Sequence, residues 1–227
     1  MMKFIALFLF LSISSICYSQ TSLKCVYIIQ FPILDGVYKL EAYKRDAVIK
    51  MINEDKKVYS LTFSNGKYLY KKEPESVDRV GVETDVRSLY IDFKDSSSVT
   101  QYYYSNKFYI VKDKLHKYEW NISNETDTIN GRLCTKAVLK SDSAIVAWFT
   151  PEVPFPYSPL GYYGLPGLTV RLKTRVYTLN LQSMTDYKGE ALKPATEGEV
   201  TTLEKLNKKK RRNTEQLMKS ADKVTEY

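Results

Sequence analysis

Few residues in this chain could support catalysis. His116 is the only histidine, and Cys17, Cys25 and Cys134 are the only cysteines. One histidine cannot complete the usual zinc sets and no Cys-x-x-Cys is present, so no metal site and no cofactor are expected. A Ser-His-Asp triad would have to use His116, with no Gly-x-Ser-x-Gly element to present the nucleophile. The plain expectation is a sheet-face or surface histidine in a strand over residues 115–120. Cys134 carries Arg132 and Lys136 on its own strand face, and positive charge would lower its thiol pKa. The competing reading is a buried or bridged cysteine. Glu119, Asp127 and Glu152 are the carboxylates a glycosidase pair would draw on, yet nothing in their spacing brings two together. Phosphate-loop and dinucleotide fingerprints are both missing. No catalytic residue is therefore expected.

Binding chemistry is concentrated elsewhere. Residues 150–168 read TPEVPFPYSPLGYYGLPGL and hold five of the eight prolines. Proline fixes φ and removes a donor, so this run is expected to be a rigid, extended connection laid over the fold. Trp148, Phe149, Phe155, Tyr157, Tyr162 and Tyr163 cluster in and beside it. Aromatic faces on a stiff loop can stack on a sugar, a peptide or a lipid chain at low ordering cost. The competing reading is that they close the mouth or edge of a sheet as core. Gly164-Leu165-Pro166-Gly167-Leu168 ends the run, and Leu165 to Leu168 fits a type II turn with Gly167 at the position needing φ > 0.

The elements that must position these residues are strands. Short alternating segments rich in Tyr, Val, Ile, Phe and Thr recur, and nineteen tyrosines fit a pleated, half-buried surface. Asn65-Gly66 between two such runs is a strong hairpin signal. Placing the turn there pairs Phe63 with Tyr68 and Leu61 with Tyr70, all on one face with Tyr59. Further strands are expected at residues 24–31, 88–93, 99–104, 107–112, 115–120, 131–139, 144–150, 168–173 and 176–181. Residues 35–53 are ambiguous between strand and short helix. The fold class is mainly β: a curved antiparallel sheet, half-barrel or bowl-like, with a basic helical C-terminal tail.

Residues 1–19 read as a cleavable signal peptide: Lys3, then an apolar run over 4–17 too short to span a bilayer, then Cys17-Tyr18-Ser19 before a cut at Gln20. Lipid anchoring through Cys17 is a second reading, weakened by Ile16 where a small residue is wanted. The domain boundaries are then 20–202 for the β-domain and 203–227 for the basic tail. Export to the periplasm or cell surface is expected, with no transmembrane segment after cleavage. Cys25 and Cys134 can pair there or remain separate buried thiols. The net charge is +8, and the tail holds eight Lys or Arg against four acidic residues. Export argues against nucleic acid, leaving an anionic surface, a glycan or mere solvation. Leu203, Leu206 and Leu217 punctuate the tail as a helix face would.

The ordered blocks Trp120-Asn121-Ile122, Gly131-Arg132-Leu133-Cys134-Thr135-Lys136-Ala137, Ala147-Trp148-Phe149-Thr150 and Gly164-Leu165-Pro166-Gly167-Leu168 resemble the GLPGLI family of exported Bacteroidota-type proteins. Thr169 stands where that family has its final Ile, and Ser158-Pro159-Leu160-Gly161 replaces a usual Gly-Pro. A weaker similarity is to the bowl-shaped N-terminal β-domain of some bacterial glycan-cleaving amidases. The resemblance implies a free-standing β-scaffold with no catalytic domain. The expected function is a non-enzymatic binding or accessory protein of the envelope, taking a peptide, glycan or lipid or docking on an outer-membrane transporter. The alternatives are a glycan- or peptide-directed hydrolase and a structural assembly factor for an outer-membrane complex.

Overall fold

A computed structural model describes residues 22–76 and 86–224, with side chains as far as Gln216 in the last helix. The signal peptide, Cys17 and the side chain of Leu217 lie outside the described residues. The elements are β1 (Leu23–Gln30), α1 (Asp35–Tyr38), α2 (Ala42–Glu54), β2 (Lys57–Ser64), β3 (Lys67–Lys72), β4 (Val86–Asp92), β5 (Ser97–Tyr104), β6 (Lys107–Lys114), β7 (Trp120–Ile129), β8 (Arg132–Leu139), β9 (Val146–Thr150), β10 (Leu168–Lys173), β11 (Thr178–Asp186), β12 (Glu199–Thr201) and α3 (Leu203–Val224). The ambiguous 35–53 segment therefore forms two helices, α1 and α2, separated by residues 39–41. All the strands form one open sheet in the order β12-β6-β5-β4-β3-β2-β1-β11-β10-β9-β8-β7. Two meanders, β2 to β6 and β7 to β11, are joined by β1 between β2 and β11. Every pairing among the described strands is antiparallel except β12 with β6, a parallel edge pair. Register shifts in β1–β11, β10–β9, β4–β5 and β7–β8 bend the sheet.

The first hairpin has the expected register, Phe63 opposite Tyr68 and Leu61 opposite Tyr70. Asn65 and Gly66 both take positive φ, 51° and 73°, as a tight hairpin turn demands. Asn130 and Gly131 repeat this at 52° and 73° to turn β7 into β8. A strand over 115–120 is a misreading: residues 115–119 are irregular, and the strand is β7, starting at Trp120. Most of β7 is exposed, so it carries no inside–outside alternation to read. It is an edge strand with polar residues on both faces.

Directly opposed residues share a face, so the pairings sort the side chains. One face carries Tyr27, Tyr59, Leu61, Phe63, Tyr68, Tyr70, Ile91, Ala137, Ala147, Leu172 and Leu179, all buried in one core. The segment 151–167 covers its middle. The same face continues onto β5 and β6, where α3 lies across it. Leu206 is 1% exposed there, Lys209 Nζ donates to Tyr109 Oη, and Lys210 sits over the rings of Tyr102 and Tyr104 at 5.3 and 5.6 Å. No described helix is long and apolar enough to cross a membrane.

Candidate functional site

A buried connection must satisfy its own backbone polar groups. The sheet's tyrosines do this for the proline segment. Tyr68 Oη donates to the Ser158 carbonyl at 2.9 Å and accepts from Gly161 N–H at 3.0 Å. Tyr27 Oη donates to the Thr169 carbonyl at 2.7 Å, and the Ser158 and Thr169 hydroxyls bond each other. Within the segment, Ser158 N–H bonds the Tyr162 carbonyl and Gly164 N–H the Pro156 carbonyl, making a small hairpin. Its rings then pack down. Tyr157 stacks on Phe63 at 4.2 Å between centroids, Phe155 meets Phe63 edge-on at 6.0 Å, and Tyr163 meets Phe93 at 5.5 Å. Tyr162 packs on Tyr118 at 4.9 Å and on Trp120, whose indole N–H bonds the Tyr163 carbonyl at 3.0 Å. Phe155, Tyr157, Tyr162 and Tyr163 thus form the underside of a lid, and burial pushes up the phenol pKa of each of the three tyrosines.

The Gly-Leu-Pro-Gly-Leu signature ends this lid differently from a type II turn. Gly164 has φ 94°, but Gly167 is not left-handed. Glycine is required at 167 by proximity: a Cβ there would lie 2.1 Å from the Thr150 carbonyl oxygen. Leu165 and Leu168 are buried on either side of exposed Pro166.

Trp148 is separated from these rings because it points to the other face. The pairings place Lys136, Trp148, Arg171, Asn180 and Ile28 in one row across β8, β9, β10, β11 and β1. One pleat away runs a second row, Val138, Val146, Lys173, Thr178 and Gln30. The polar groups are linked: Arg171 Nε donates to Asn180 Oδ1 at 3.1 Å and Asn180 Nδ2 to Gln30 Oε1 at 3.4 Å. Of the two rows, Trp148, Arg171, Asn180, Lys173, Thr178 and Gln30 floor an open groove of about 630 Å³. One wall is the strand-to-helix connection around Phe31, whose ring meets Tyr177 edge-on at 5.9 Å and lies under Lys57 Nζ at 4.7 Å. Lys57 is itself fixed by Asp55 at 2.6 Å in a buried ion pair. The other wall is the β10–β11 turn, closed by Thr174, whose N–H and hydroxyl both bond the Tyr177 carbonyl at 2.8 Å. A smaller gap of about 200 Å³ lies between the lid and α3, floored by Leu89 and Ile91 and edged by His116 and Tyr118.

The residues considered for catalysis do not converge. His116 is 70% exposed, its Nε2 3.7 Å from the Asp113 carboxylate. Glu119 pairs with Lys140 at 3.1 Å, and Glu152 lies 3.8 Å from Arg132. Lys136 is engaged with Glu125 at 2.8 Å. Cys134 is fully buried, and burial raises its pKa against a backbone hydrogen bond at Ile129, with Asp127 and Glu152 adding to the rise. A thiol of that kind is a poor nucleophile. Cys25 is pushed up to about 12 by burial. The pairing weighed for Cys25 and Cys134 is not made: both are free. They sit on β1 and β8, four steps apart in strand order. Among the described residues no three His, Cys, Asp or Glu side chains gather as metal ligands.

Residues 94–171 match a family described as a protein of unknown function (Porph_ging). The match runs from the β4–β5 turn into β10, spanning the lid, Trp148 and Arg171. None of the curated proteins matches the chain. Two solved structures of PNGF-II are similar, in space groups P21 and C2, at 17% and 16% identity with TM-scores of 0.50 and 0.49. Each likeness covers 83% of this chain but 32% of PNGF-II, so the chain spans about a third of that protein's length. At that identity the likeness in space group P21 is one of fold.

Proposed function

We propose that this chain is a non-enzymatic binding scaffold of the bacterial envelope, exported through its 1–19 leader, which holds a saccharide on the open face of its sheet. The observation behind this reading is the Trp148 indole beside the hydrogen-bonded series Arg171, Asn180 and Gln30 in a groove of about 630 Å³. The lid and α3 leave only a gap of about 200 Å³ on the covered face, against about 630 Å³ on the other, so the open face has the room for an extended ligand. An aromatic face suits the C–H face of a sugar ring, and side-chain amide and guanidinium groups suit its hydroxyls. The floor is pre-oriented by its own hydrogen bonds, which lowers the ordering cost of binding. A peptide recognised through its backbone would use a strand edge. The edges here are β7 and β12, while the groove is floored by β9, β10, β11 and β1. The GLPGLI-type resemblance is compatible with an accessory role beside an outer-membrane transporter or another envelope protein.

The test is an oligosaccharide binding screen with wild type and Trp148→Ala, each checked for fold by circular dichroism. Saccharide binding that falls about 30-fold in the variant, as loss of a central aromatic contact of about 2 kcal/mol implies, supports the reading. Absence of saccharide binding, or binding unchanged by Trp148→Ala, overturns it.

A further inference from the structure

The charge of the groove narrows the ligand class, on the premise that the groove is a saccharide site. Among the described residues its lining includes Arg171, Lys173 and Arg175 and no aspartate or glutamate. Arg175 is held by Asp142 at 2.8 Å, outside the lining. Arg171 has one of its five N–H donors on the neutral Asn180. Lys173 is exposed, two residues further along the same strand face. On the opposite flank of Trp148, Lys136 is neutralised by Glu125, with both carboxylate oxygens within 3.0 Å. Among the described residues neither Arg171 nor Lys173 makes an ion pair, so the indole is flanked by a neutralised pair on the β8 side and by unpaired cationic side chains on the β10 side.

We infer that the groove takes an acidic saccharide, one whose carboxylate or sulfate lies towards Arg171 and Lys173 while its ring stacks on Trp148. A guanidinium fixed by a hydrogen bond at Nε still presents its terminal N–H groups to an anionic oxygen, and a flexible ammonium can close on a second one. Lack of carboxylates in the lining removes the repulsion that an acidic ligand would otherwise meet.

The experiment is titration calorimetry of the full chain with two matched pairs: oligogalacturonate with its methyl ester, and a sulfated galactan fragment with its desulfated form. At least one acidic member is expected to bind roughly tenfold or more tighter than its neutral partner at low salt, as one charge-assisted contact implies. The preference should collapse in 0.5 M NaCl and in the Arg171→Gln/Lys173→Gln double variant, while Trp148→Ala weakens both members. If acidic and neutral members bind equally, the inference fails and the saccharide reading survives. If no member of either pair binds, the inference fails, and the oligosaccharide screen alone decides the saccharide reading.

Discussion

Substituting Gly167 by alanine tests why the signature needs its second glycine. The new methyl would lie 2.1 Å from the Thr150 carbonyl oxygen, 2.7 Å from its carbon and 2.9 Å from Pro151 Cα. A comfortable carbon–oxygen contact is about 3.3 Å, so the chains must part by roughly 1 Å. No side chain can give way, because every atom met is backbone. Thr150 and Leu168 are also register partners at the ends of β9 and β10, each fully buried, so the displacement enters the ladder. Overpacking of this kind costs about 3 kcal/mol, at the upper end of the usual range. For a chain of this size that lowers Tm by roughly 6–12 °C, read by circular dichroism melting. Gly36→Ala in α1 is the control: nothing lies within 4 Å of its Cβ position, and the melt should stay or rise slightly. Gly167→Asn separates the two explanations. Asparagine tolerates a left-handed turn, so it would be accepted if φ were the reason, but it adds more bulk than alanine against Thr150. A Gly167→Ala melt within 2 °C of wild type, or an asparagine variant more stable than the alanine one, would refute the reasoning.

Tyr68→Phe should destabilise by about 2–3 kcal/mol in urea titration, since it strands both the Ser158 carbonyl and the Gly161 N–H under the lid. A loss under 0.5 kcal/mol would mean that the lid does not depend on that hydroxyl. Native Cys25 and Cys134 should resist alkylation at pH 8 and both react once the chain is unfolded without reductant, counted by peptide mass. Unlabelled peptides after unfolding would indicate a bridge. Because burial raises the Cys25 pKa from 9.0 to about 12, the folded state holds its proton over that interval. Stability should therefore be undiminished below pH 9 and fall as pH rises towards 12. Cys25→Ala should lessen that fall, and an unchanged alkaline profile would contradict it.

Much of the sheet was legible because its central strands alternate. The Phe63–Tyr68 and Leu61–Tyr70 pairs follow from Asn65-Gly66 and the side-chain period alone. β7 was not legible, because an exposed edge strand has no buried face to mark it, although Asn130-Gly131 carried the same turn signal. The proline-rich run was recognisable as a rigid connection, but its tyrosine-held seating on the sheet joins residues some 90 to 140 positions apart. The groove was the least visible. Trp148 stood out, yet its partners Arg171, Asn180 and Gln30 come from three other strands. Pairing β1 with β11 depends on long-range topology that local patterns do not encode.

The most direct test of the saccharide reading is a two-dimensional amide spectrum during titration with the tightest-binding oligosaccharide from the screen. The chain has two tryptophans, so two indole N–H signals report on opposite faces. Trp148 lies in the groove and Trp120 is held under the lid through its bond to the Tyr163 carbonyl. The Trp148 indole and the side-chain amides of Asn180 and Gln30 should shift together while Trp120 stays fixed. Movement of Trp120 with Trp148 unmoved would place the ligand at the lid and contradict a saccharide site in the groove.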